Sequence, residues 1–86
     1  MFIDFKKDFI KSLDKAPVKI QAAFYKQIKI FELDPFCPVL RNHKLTGEFN
    51  SCRSIDITGD WRAIYEEKNE DIVVFLLLGT HSKLYG

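Results

Sequence analysis

Near the end of this 86-residue sequence, Gly79-Thr80-His81-Ser82-Lys83-Leu84-Tyr85-Gly86 places an imidazole and an aromatic ring where small domains are usually frayed and polar. An apolar run leads into it, so the tail reads as tied down and used. Imidazole, with an ordinary pKa of about 6.5, gives or takes a proton near neutral pH. Together with His43 and with Asp60 in Gly59-Asp60-Trp61-Arg62, His81 predicts a site that handles protons.

The elements that must position these groups follow from periodicity. Met1 to Phe5 reads as a short strand, and Phe9, Ile10 and Leu13 recur at helical spacing through about residue 15. Ala16-Pro17 breaks that run, and Pro17 suits the first position of a second helix. Ile20, Ala23, Phe24, Gln27, Ile28 and Phe31 share one face of it until Asp34-Pro35. The two helices predict an antiparallel hairpin. Pro35 to Gly47 reads as a loop, followed by strands over Phe49 to Ile57, Trp61 to Glu67 and Ile72 to Gly79 with turns at Thr58-Gly59-Asp60 and Lys68-Asn69-Glu70. The expected class is α+β: an N-terminal strand, the hairpin, then a three-stranded antiparallel meander forming one small sheet. Helices cover one face and leave the other for a ligand.

Composition narrows the class of molecule. One domain over residues 1–86 is expected, with 47% hydrophobic residues and eight Phe supplying its core without a metal or disulfide. Thirteen Lys and Arg against twelve Asp and Glu leave a net charge of +1, too near neutral to signal nucleic-acid binding by bulk electrostatics. Lysines crowd the first third, and Glu66, Glu67, Glu70 and Asp71 cluster, both reading most simply as solvated faces. Cys37 and Cys52 lack CxxC spacing, a signal peptide is not expected, and Ile72 to Leu78 is too short to cross a bilayer. The expectation is a cytoplasmic protein with reduced thiols and no cofactor. A zinc set of Cys37, His43, Cys52 and His81 matches no ligand spacing.

The pattern His43-x-Leu45-x-Gly47, Arg53-Ser54, Gly59-Asp60-Trp61-Arg62-x-x-Tyr65 and Gly79-Thr80-His81-Ser82-x-Leu84-Tyr85 resembles the YafQ-like branch of the RelE superfamily of toxin–antitoxin toxins. The likeness spans nearly the whole chain, and its C-terminal half carries the specificity. It implies a small ribosome-dependent endoribonuclease that cuts mRNA in the ribosomal A site and is held inactive by a cognate antitoxin. It further implies a toxin–antitoxin complex that binds operator DNA through the antitoxin, with no membrane partner. Gyrase poisoning, known on a similar fold, is disfavoured by the Gly-Thr-His-Ser ending.

Cleavage by the 2′-hydroxyl needs a base for its proton, an acid for the departing 5′-oxygen and cations around the phosphorane. The resemblance assigns His81 and His43 to proton transfer and Asp60 to orienting a histidine or the hydroxyl. Alone, His81 reads as a surface residue ending a strand, His43 as inert in a polar loop, and Asp60 equally as a turn former. Asp56 stands where close relatives carry a second central histidine. It is able to serve as base if burial or a neighbouring carboxylate such as Asp60 shifts its titration, and is otherwise silent. Arg53 and Arg62 suit phosphate binding, with salt bridges to Asp56 or Glu48 as the rival account. Trp61 and Tyr85 are candidates for stacking on bases or ribose, Trp61 being equally a packing residue, and Lys44 for a phosphate or rRNA contact. The alternative reading is a catalytically weak module that binds its antitoxin and takes part in operon repression.

Overall fold

The computed structural model describes residues 1–85; Gly86 lies outside them. Strand β1 (Phe2–Phe5) leads into helix α1 (Lys7–Lys15), which buries Phe9 and Leu13 one turn apart. Helix α2 (Val18–Leu33) follows, Pro17 standing just before its first residue. Gln21 Nε2 faces the carbonyls of Leu13, Asp14 and Ala16, groups that the end of α1 leaves without helical partners. The chain then forms a single 3-10 turn at Pro38–Leu40, strand β2 (His43–Lys44), a second turn at Gly47–Phe49 and strands β3 (Cys52–Asp56), β4 (Trp61–Glu67) and β5 (Ile72–Thr80). A short helix α3 (His81–Tyr85) ends the described chain.

The expected meander is part of a larger sheet. Five strands stand in the order β1-β5-β4-β3-β2, with β1 parallel to β5 and the other pairs antiparallel. The two helices serve as the crossover that a parallel pair requires. Two boundaries differ from the sequence reading. His43 and Lys44, expected in a loop, pair with Ser54 and Arg53. The strand expected from Phe49 begins only at Cys52, because Gly47, at φ +72°, turns the chain into a 3-10 segment first.

Both faces of the sheet carry apolar side chains. Under α1 and α2 lie Ile55, Ile57, Ala63, Tyr65, Val73, Phe75 and Leu78, packed on Phe9, Phe24 and Phe31. Phe75 centres this core, its ring 5.2–5.7 Å from those of Tyr65, Phe31, Phe9 and Phe5. On the other face Leu45, Cys52 and Ile64 pack with Phe49, Leu76, Leu77 and Leu84. The face expected to be open is therefore half covered, by α3 and the 45–49 segment. A bulge makes this possible: Tyr65 pairs with Phe75 but Ile64 with Leu77, so Leu76 is an extra residue and turns with Leu77 to the second face.

Candidate active site

The uncovered part of the second face is a depression of about 520 Å³. Strand alternation determines what reaches it. Cys52, Ser54 and Asp56 of β3 share a face, as do Arg62 and Ile64 of β4, and Asp56 stands directly across from Arg62. His43 and Lys44 enter from β2, Arg41 from the preceding turn, and His81 and Tyr85 from α3.

Each histidine is held by backbone. His43 Nδ1 lies 2.9 Å from the carbonyl oxygen of Arg41. A carbonyl only accepts, so this bond puts the proton on Nδ1 and leaves Nε2 as a basic nitrogen. The bond is set up by Arg41, the one non-glycine residue at positive φ (48°) among the described residues, a conformation disfavoured by about 1–2 kcal/mol. The His81 N–H donates to the Asp60 carbonyl at 2.8 Å, so the β3–β4 turn holds the start of α3. The far end is held by Tyr85, whose hydroxyl donates to Ser54 Oγ at 3.1 Å and whose ring lies 4.8 Å from that of His81. Leu84 packs over Gly79, where a Cβ would meet it at 3.3 Å. Fully buried Ser54 thus anchors α3 on the strand position that pairs with His43.

Asp56 and Arg62 form a close pair, Nε to Oδ1 at 2.9 Å, each side chain 16% exposed. The Arg41 guanidinium is 4.0 Å from the same carboxylate but largely solvated, a weak contact. Arg62 Nη1 donates to the carbonyls of Thr58, Gly59 and Trp61 at 3.0–3.3 Å. Nη1 is thus committed to the turn and Nε to Asp56, which leaves Nη2 free to meet a ligand.

Six of the nine candidate site residues come together. His43, His81 and Arg62 line the depression, with Asp56, Lys44 and Tyr85; Asp60, Arg53 and Trp61 do not. Asp60 is exposed in the turn and contributes backbone, so the carboxylate neighbour considered for Asp56 is replaced by guanidinium groups. Arg53 points to the opposite face from Asp56, since the two are three residues apart on one strand. It donates Nε to Asn42 Oδ1 at 2.7 Å and lies 5.1 Å over the Phe36 ring. Trp61 packs against the helix-side core. Cys37 packs on that core while Cys52 is buried on the second face, so the four residues of the zinc set do not meet.

The sequence reading missed two positioning residues. Ser54 is one. Asn42 is the other: its Nδ2 reaches the Pro35 carbonyl and the Tyr65 hydroxyl, at 2.9 and 2.7 Å, while its Oδ1 takes Arg53, pinning the segment that presents His43. Burial pushes the Tyr65 phenol above its ordinary 10.0, against the lowering effect of the Asn42 hydrogen bond and the Arg53 charge. Asn42 sits between Arg41 and His43 in a polar stretch, so nothing in its sequence context set it apart.

Among solved structures, YafQ from E. coli strain BL21(DE3) is similar over 98% of this chain and 97% of its own, with a TM-score of 0.82 at 20% identity. A YoeB/ParE toxin from Agrobacterium tumefaciens is similar over 94% of this chain and 99% of its own, with a TM-score of 0.77 at 14% identity. YafQ in the E. coli DinJ-YafQ complex is similar over 98% and 97%, with a TM-score of 0.70 at 22% identity. These likenesses establish the fold as that of the YafQ and RelE-like toxins. No curated protein sequence matches the chain significantly. No helix among the described residues is long and apolar enough to cross a membrane. The sequence model of the bacterial toxin of type II toxin–antitoxin systems, YafQ, matches residues 2–86, and the chain belongs to that family.

Proposed function

We propose that this toxin is an endoribonuclease that cleaves mRNA in the ribosomal A site and so arrests translation in the cytoplasm. The observation that carries the reading is the single depression lined by two histidines from opposite sides, three cationic side chains and the Tyr85 ring. In the proposed reaction one imidazole takes the proton of the 2′-hydroxyl, whose oxygen attacks the adjacent phosphorus. The other imidazole protonates the 5′-oxygen as its bond to phosphorus breaks, leaving a 2′,3′-cyclic phosphate and a 5′-hydroxyl. His43, with Nε2 unprotonated, suits the base, and His81 the acid. Lys44, Arg41 and Arg62 Nη2 counter the charge that builds on the phosphorane. Asp56 orients Arg62 and takes no proton. No metal or other cofactor has a part in these steps.

The proposed partner is a cognate antitoxin, a reading supported by the E. coli DinJ-YafQ complex; on that reading the antitoxin restrains the activity and carries the pair onto operator DNA. A second reading, a catalytically weak module acting through antitoxin binding and operon repression, is favoured by one observation. Arg62 spends two nitrogens on its own turn and on Asp56. Induced expression of wild type and His81→Ala, with growth and mRNA 5′ ends followed in the presence and absence of translation, tests both. Arrest with translation-dependent cuts, lost in the variant, is the expected result; accumulation of wild type without arrest or cuts would favour the second reading.

A further inference from the structure

The depression that holds the histidines has a neighbour across Asp56 and Arg62. This second one, of about 440 Å³, begins on their other side and shares Arg41, Asp56 and Arg62 with the first. Its remaining wall comes from α2, the 3-10 turn at Pro38–Leu40 and the β3–β4 turn, and includes Lys26, Val39, Thr58 and Gly59. Gln27, buried beside Lys26, donates to the Asp56 carbonyl at 2.9 Å and fixes this stretch of α2 against β3. The two depressions adjoin at these shared residues, and their combined lining includes Lys26, Arg41, Lys44 and Arg62 against a single carboxylate, in a chain whose net charge is only +1. Val39, 55% exposed, adds an apolar surface among these cations.

We infer that this second depression is a subsite for the single-stranded RNA flanking the cut, with Lys26 on a phosphate and Val39 against a base. Cations beside an apolar surface across two adjoining depressions are what a strand of charged phosphates and flat bases requires. The inference rests on the endoribonuclease reading for the direction of the strand into the histidine pocket, but binding is measurable without cleavage.

The test uses a 2′-O-methyl RNA hexamer, which lacks the attacking hydroxyl, titrated into the full chain at several salt concentrations. In Lys26→Gln the slope of log affinity against log salt becomes shallower by about 0.7, the value for one phosphate contact on a single strand, and low-salt affinity drops several-fold. Lys11→Gln on α1 leaves both unchanged. Amide NMR signals of Lys26, Thr58 and Gly59 move with the hexamer, whereas a dinucleotide moves only those of the histidine pocket. An unchanged slope in Lys26→Gln, no hexamer binding by wild type, or shifts at Lys26 caused by a poly-glutamate peptide and not by RNA would each overturn the subsite. Cuts on ribosomes that persist alongside such a result would leave the endoribonuclease reading standing. A wild type without cuts but with the predicted slope change would do the reverse.

Discussion

A histidine whose Nδ1–H donates to a backbone carbonyl has one nitrogen left for chemistry, and His43 is in that position. His43→Ala and His81→Ala are each expected to lower the cutting rate on translating ribosomes by about 10² to 10⁴, the usual worth of one proton transfer, with little change in melting temperature. Asp56 should behave differently. Asp56→Asn keeps an oxygen for Arg62 and is expected to cut within about tenfold of wild type. Asp56→Ala leaves the guanidinium unpaired and should cost about 1.5–3 kcal/mol in urea unfolding. A loss in Asp56→Asn as large as that in the histidine variants would make Asp56 a proton carrier and refute the pairing role. Part of this was legible in the sequence. The two histidines were given their roles by the family resemblance rather than by residue type alone, while Arg53 and Asp56 stand three apart in a strand, which already puts them on opposite faces. What the sequence did not show was which part of the helix-free face would stay open, because that depends on where β2 and α3 dock.

At the scale of elements, the site is held by two short segments fixed through side chains. Asn42→Ala removes the acceptor of Arg53 and the donor to Tyr65, and should cost about 1–3 kcal/mol. Amide exchange would speed up most around residues 41–44, and a uniform change along the chain would count against the pinning role. Gly79→Ala presses a methyl group onto Leu84 and should loosen α3, lowering cutting more than global stability. Equal losses in both would mean that α3 is merely part of the core. The long elements were readable because each repeats its pattern several times: α2 between Pro17 and Asp34, β4 and β5 by their apolar positions. β2 has two residues and no pattern to repeat, and the Leu76 bulge depends on pairing with a strand before it.

For the molecule as a whole, the aromatic core sets the response to alkali. Tyr65 loses its proton less readily folded than unfolded, so the stability it contributes is full below pH 10 and declines as pH rises through the folded value. The unfolded chain releases that proton first. Wild type should therefore lose stability above about pH 10 more steeply than Tyr65→Phe in parallel urea titrations; parallel curves would remove Tyr65 as the cause.

The sheet order also governs timing during synthesis. Residues Phe2 to Phe5 have a single strand partner, and it is Ile72 to Phe75. At synthesis rates of about 5–20 residues per second, the apolar opening of the chain waits roughly 4–14 seconds for its neighbour to be made. That neighbour also leads directly into His81. A nascent chain long enough to have its helices but not its fifth strand has neither a closed sheet nor a second imidazole. On the proposed reading, a nascent chain cannot act before its fifth strand and the residues after it have been made.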